Sequence, residues 1–292
     1  LSTRAATAAQ TEEGRVNAST VLAGILLGGL VLRFLFIGAA GYRSDVDSFM
    51  SWALTAAQNP LSQFYAKAGF ADYPPGYLFV LWVVGHLYLA IPHAAGDYGI
   101  LRLLVKVPAC LADVVNAGLI FLIVRRFASA AWANGAAALY AFNPATIYVS
   151  AYWGQVDAVP AAFMLAAVTL LLYAPAQPPP RARALTIGAW LAISYAILIK
   201  PPAVMVALVM LVWAFAASEP LEGRRRQADT AIGAVCAFVL ACVVAFTFHP
   251  SIGGAIPWLW QRYAYGSAVY PYNSVNAFNL HSLFRPFWQP DT

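Results

Sequence analysis

Ser44-Asp45-Val46-Asp47 places two carboxylates just after the first long apolar run, residues 21–40. Ionisable groups at the mouth of a membrane span are costly to keep and by default mark function. A carboxylate there is the natural place for a general base. Other groups able to do chemistry follow in the chain. They are Asp72-Tyr73-Pro74-Pro75, Trp153-Gly154-Gln155-Val156-Asp157, Lys200 before Pro201-Pro202, and a tail bearing His249, Arg262, Tyr270, Tyr272, Asn273 and His281. One carboxylate to take a proton and cations to receive a departing anion suffice to displace phosphate from a lipid-phosphate sugar. Phosphate leaves without protonation, so no second carboxylic acid is needed.

The elements that must position these groups are apolar. Of 292 residues 61% are apolar and 10% charged, against about a quarter charged in soluble domains. This composition and the repeated apolar runs predict an all-α polytopic membrane protein. The net charge of +5 then reports topology, and nucleic acid is not expected as a partner. Cys110, Cys236 and Cys242 fall in apolar runs without metal-site or disulfide spacing. The expected spans are 21–40, 101–124, 133–149, 158–173, 184–199, 203–217 and 230–248. Arg125-Arg126, Arg181 with Arg183, and Arg224-Arg225-Arg226 lie in short loops separated by two spans each. The positive-inside rule puts all three, with a tail 1–20, in the cytoplasm. For the first loop, 41–100, to lie outside, residues 77–91 must not cross. This run is short and interrupted by Gly85 and His86, and reads as a juxtamembrane or re-entrant helix. Residues 21–248 then form the membrane module and 249–292 an external loop. The first span is long enough to be retained, and no signal peptide is expected. The chain opens on Leu1 and ends after an aromatic loop, so a fragment, or a chain lacking further C-terminal spans, is expected.

Under this topology one face collects every unusual polar motif, while the cytoplasmic loops are short and basic. Each motif also has a structural explanation. Ser44-x-x-Asp47 fits a capping box with Ser44 as N-cap, which leaves Asp45 the better base. Asp157 can N-cap the span starting at Ala158. Lys200 can snorkel at a helix end, the Pro-Pro pairs can start helices, and His249, Tyr270 and Tyr272 can anchor at the interface. Asp113, deep in a span, is expected to pair structurally with Arg33 or Lys106. The shared sidedness of the polar motifs carries the functional reading.

The order of these motifs resembles the GT-C superfamily of polyprenyl-phosphate-sugar-dependent glycosyltransferases. The likeness is to the branch of dolichyl-phosphate-glucose-dependent glucosyltransferases and to bacterial membrane mannosyltransferases. Asp45-Val46-Asp47 resembles the acidic motif of the first external loop, with Trp52 following. Asp72–Pro75 resembles an Asp-Tyr-Pro-Pro stretch. Asn143-Pro144, Trp153–Asp157, Lys200 and the segment from Gln261-Arg262 to Asn276-Ala277-Phe278 continue the series, which runs from about residue 20 to 285. The resemblance implies a bundle of about seven transmembrane helices, with two juxtamembrane helices in the first external loop. It implies inverting transfer of a hexose from a polyprenyl-phosphate sugar to a glycan, lipid-linked or protein acceptor. The active site would face the periplasm of a bacterial inner membrane. Asp45 takes the position of the general base, beside Asp47. Arg262, with Lys200 or His249, would face the donor phosphate. Asp72, Tyr73, Gln155, Asp157, Tyr272 and Asn273 would shape the sugar or acceptor pocket. Some relatives use a divalent ion through the acidic motif. Two carboxylates make a poor dedicated site, and no metal or other cofactor is expected. The competing class is a transporter or flippase of a polar or lipid-linked substrate, suggested by Arg33, Lys106 and Asp113 within spans. The absence of repeat symmetry and of a midplane polar cluster disfavours it.

Overall fold

Long apolar segments in lipid must satisfy their backbone internally, which selects helices. The computed structural model describes residues 2–92, 96–216, 220–272 and 283–284, and its described residues form an all-α bundle. Among the described residues five helices are long and apolar enough to cross a membrane. They are α1 (Ser2–Phe36, through its window Ala18–Phe36), α5 (Gly99–Arg125), α8 (Ala158–Tyr173, continued by a 3-10 turn to Ala176), α9 (Pro179–Ile199) and α11 (Pro220–Phe248). Two of the seven expected spans are shorter or broken. Residues 133–149 divide into α6 (Ala130–Ala141) and α7 (Pro144–Ile147). Asn143 starts α7 by accepting a hydrogen bond from the Ala145 N–H at 2.8 Å, and Pro144 follows at the first helical position. At 203–217, Pro201–Ala203 form a 3-10 turn ahead of α10 (Val204–Phe215), only 12 residues long.

Side-chain contacts fix which ends lie together. At one end Asn134 donates to the Ala18 carbonyl (3.3 Å) and Tyr173 to that of Leu122 (3.0 Å). There too Arg183 pairs with Asp229 (2.7 Å) and Arg226 lies over the Trp213 ring. All three arginine clusters therefore share this end, as the alternation of spans requires. At the other end the Tyr42 N–H donates to Trp153 (2.9 Å), Tyr195 to Gly76 (3.0 Å) and Tyr263 to Ile197 (3.0 Å).

The first loop holds α2 (Arg43–Gln58), a short α3 (Phe64–Lys67) and α4 (Gly76–Ala90). α4 begins against Leu198 and ends near Asp97, to which Tyr88 donates. Both of its ends lie at the end of the bundle opposite the arginine clusters, so it does not run the length of the bundle. Gly85 and His86 do not interrupt it. Gly85 instead admits the Ala53 carbonyl of α2, which a Cβ would meet at 2.1 Å. Phe49, Trp52 and Phe64 are buried here with Tyr77, Leu81, Leu101, Val156 and Ile199. Each large side chain removed from water contributes roughly 1.5–3 kcal/mol, which accounts for a folded loop. Residues 255–268 are also ordered, as α12 (Ala255–Ala268), where the sequence suggested only a loop.

Candidate active site

Two chain segments meet at the end of the bundle opposite the arginine clusters: the one leaving α1 and the one leaving α7. The latter winds into a π-helical turn, Tyr148–Trp153, and stops at Gly154 with φ 93°. The former turns at Gly41, φ 79°. Both glycines adopt a backbone that L side chains rarely take. Both also lie where space is lacking. A Cβ on Gly41 would stand 2.6 Å from the Trp153 carbonyl oxygen, and one on Gly154 2.9 Å from Val46 Cγ2. Isolated π turns recur at functional sites, and this one delivers Trp153 and Gln155 to the first turn of α2.

Asp45 is the third residue of that helix, where the positive end of the backbone dipole favours a carboxylate. Its Oδ2 accepts from Trp153 Nε1 at 2.9 Å and from Gln155 Nε2. Both hydrogen bonds fall on one oxygen of a half-buried side chain. Gln155 reaches Tyr73, whose hydroxyl lies 3.5 Å from its Oε1. Lys200 lies 5.3 Å over the Tyr73 ring and pairs with Asp157. The Tyr73 backbone carbonyl accepts from Tyr65 at 2.8 Å. Arg262 of α12 lies over the rings of Tyr65 and Tyr265, each 5.3 Å away. Among the described residues its buried Nε has no hydrogen-bond partner. α12 seats closely, since a Cβ on Gly266 would stand 2.7 Å from the Asp72 carbonyl oxygen.

Burial raises Asp72 above the ordinary aspartate range, opposed by hydrogen bonds from the backbone and from Tyr270; the Asp45 charge raises it further and Lys200 opposes. Burial also raises Tyr270, reinforced by the Asp72 charge. Tyr73 is raised by burial and then by Asp157, Asp72 and Asp45. These mutual effects join Asp45, Asp72, Asp157, Tyr73, Tyr270 and Lys200 in one electrostatic neighbourhood. The arrangement offers a carboxylate with lone pairs for a substrate hydroxyl, with Lys200 on the neighbouring Tyr73 ring and Arg262 further along, over Tyr65.

A family model described as dolichyl-phosphate-mannose-protein mannosyltransferase matches residues 72–249, more than half of the chain. The chain belongs to this family. It is therefore a membrane glycosyltransferase of the GT-C superfamily. A search of individually curated proteins returns no match. In this GT-C chain the matched residues include Asp72, Gln155, Asp157, Lys200 and His249. Asp45 precedes them and is tied to them by Trp153 and Gln155.

Several local expectations are corrected. Ser44 and Asp47 form no capping box: the N-cap is Tyr42, without a side-chain cap, and Ser48 donates to the Ser44 carbonyl. Asp47 is exposed. The preference for Asp45 thus rests on its two donors, not on capping. Asp157 occupies the N-cap position of α8 but makes no side-chain cap; its carboxylate pairs with Lys200. Asp113 pairs with Arg33 at 2.8 Å, as one of the two expected options. His249 stacks on Trp258, with ring centroids 5.8 Å apart. Tyr272 is half-buried, and its N–H donates to the Tyr270 carbonyl. Asn273, Asn276-Ala277-Phe278 and His281 lie outside the described residues. Among the described residues no three His, Cys, Asp or Glu side chains converge as a metal site. Sequence reasoning passed over two contributors. In sequence Trp153 stands out only as part of a motif, and Lys106 only as an ion-pair partner or a transporter-like charge within a span. A buried lysine flanked in space by two positive-φ glycines leaves no linear signature.

Proposed function

We propose that this GT-C glycosyltransferase moves a hexose from a polyprenyl-phosphate-sugar donor to an acceptor hydroxyl, with inversion. The reaction would occur on the face opposite the arginine-bearing loops, the periplasmic side of a bacterial inner membrane. The observation that carries the reading is the Asp45 carboxylate, held through Oδ2 by Trp153 and Gln155 beside Lys200 and Tyr73. Asp45 takes the proton of the acceptor hydroxyl as its oxygen bonds to the anomeric carbon. The bond from that carbon to the phosphate oxygen breaks, and its electron pair leaves with the polyprenyl phosphate. Arg262, whose Nε has no hydrogen-bond partner among the described residues, receives the phosphate charge; Lys200 joins it by exchanging Asp157 for the phosphate. His249, on the stack next to Trp258, borders the same donor end. Asp72, Tyr73, Asp157 and Tyr272 form the pocket wall, and Gln155 serves the pocket by holding Asp45. The family's description supports mannose as the first donor sugar to test and a protein among the acceptors, beside glycan and lipid-linked ones.

The test is transfer from labelled polyprenyl-phosphate mannose, glucose and arabinose by the purified protein in liposomes, with peptide and glycan acceptors. Asp45→Asn is expected to lose at least about 10²-fold in kcat, the usual scale of general-base catalysis, with donor binding retained. Undiminished transfer by Asp45→Asn would remove Asp45 from the mechanism.

A further inference from the structure

The external end of α5 carries a lysine that the proposed reaction does not use. Lys106 is fully buried, yet among the described residues its ammonium meets no carboxylate. It faces four backbone carbonyls: Ile37 (3.3 Å), Ala39 (2.6 Å), Ala151 (3.2 Å) and Tyr152 (3.1 Å). The first two belong to the segment leaving α1, and the other two to the π turn. Helix ends leave carbonyls without intrahelical partners and carry partial negative charge. One ammonium, a compact point charge with three donors, thus satisfies two helix C-terminal ends at once. The remaining carbonyl of the joint, Trp153, accepts from Tyr42 at 2.9 Å. The nearest buried ion pair, Arg33 with Asp113, is closed on itself and leaves Lys106 to these carbonyls.

What this joint holds is the geometry of Asp45. Directly after Tyr152 come Trp153 and Gln155, the two side chains that grip Oδ2. Shortly after Ala39 come Tyr42 and the first turn of α2, which carries Asp45. The Lys106 stem also packs against Gly154, whose Cβ would stand 3.1 Å from Lys106 Cε. We infer that Lys106 is a positioning residue: its ammonium clamps the two segments whose register sets Asp45 against Trp153 and Gln155. The inference rests on the reading of Asp45 as the base. A stability role alone would be served by any well-packed apolar side chain, whereas a clamp needs N–H donors at this point.

The experiment compares Lys106→Met, which has no donor, with Lys106→Gln, which keeps two. Each is tested alone and combined with Gln155→Ala, in the liposome assay with polyprenyl-phosphate mannose, with thermal melting followed in parallel. A displacement of about 1 Å costs on the order of 10²-fold in rate. Lys106→Met is therefore expected to lose about 100-fold in kcat with donor KM unchanged, and Lys106→Gln to recover part of that loss. Both residues act through Asp45, so the double variant with Gln155→Ala should lose no more than the worse single variant. Wild-type kcat in Lys106→Met, multiplicative losses in the double variant, or equal losses in the Met and Gln variants would each overturn the clamp. If Lys106→Met does not fold, the cycle of Lys106→Gln with Gln155→Ala decides by the same criterion. Full activity in Asp45→Asn would instead show that the base itself was misassigned. An inactive Asp45→Asn beside a fully active Lys106→Met would overturn only the positioning role.

Discussion

Replacing Asp113 by leucine would strand a cation in the middle of the bundle. Arg33 and Asp113 have side chains 1% and 2% exposed. The guanidinium is held by Asp113 Oδ2 at 2.8 Å, by the carbonyls of Gly29 (3.0 Å) and Ala141 (2.7 Å), and by Thr146 Oγ1 (3.1 Å). Tyr140 donates to the other Asp113 oxygen at 2.8 Å. With three acceptors remaining, Arg33 cannot swing out to a lipid headgroup and stays buried without its counter-charge. Breaking a buried pair from one side costs about 3–5 kcal/mol, and the Tyr140 O–H, which still accepts from Asn116 but loses its acceptor, adds about 1–3 kcal/mol. The single variant Asp113→Leu should thus lose at least ~4 kcal/mol. Arg33→Met with Asp113→Leu removes both charges and should recover at least ~2 kcal/mol of that loss. Equilibrium unfolding in mixed micelles, with all members of the cycle side by side, measures both quantities. A loss under about 1 kcal/mol in Asp113→Leu, or a double variant no more stable than the single one, would refute the claim that this pair matters through its burial.

Gly85→Ala pushes a methyl group into the Ala53 carbonyl, 2.1 Å away; overpacking of this kind costs about 1–3 kcal/mol. A lower melting temperature and weaker transfer are expected, since α2 carries Asp45, and an unchanged melting temperature would contradict the close approach of α2 and α4. Asp72 has a folded pKa raised chiefly by burial. Its contribution to stability is therefore full below the unfolded value and is lost as pH rises through the folded value, so at neutral pH its charge is a cost. Asp72→Asn should raise the neutral-pH melting temperature and flatten the gain seen on acidification in the range just above pH 4; an unchanged pH profile would count against the buried carboxyl.

Much of the architecture was legible because membrane insertion acts on composition and length. Apolar runs and arginine loops are local properties, and they identified an all-α membrane protein, the common end of its arginine clusters and the separate helical run that became α4. The count of seven spans was less secure for a local reason as well: Asn143-Pro144 and Pro201-Pro202 shorten two of the runs. Assigning roles was harder wherever a side chain had alternative partners. Asp47 looked like a cap, but the helix begins one residue before Ser44, so the capping register falls elsewhere. Asp157 looked like a cap and instead meets Lys200, 43 residues away.

By itself the sequence pointed to one end of the bundle for most of the polar groups, because charge and hydropathy along the chain dictate how apolar segments alternate. Only the tertiary structure decided which of those groups meet. Asp45 contacts Trp153 and Gln155 across more than a hundred residues, at a joint made by two positive-φ glycines and a buried ammonium. Hydrogen bonds of that separation depend on how α1, α5 and the π turn pack together, and packing is a property of distances in space that no spacing along the chain encodes.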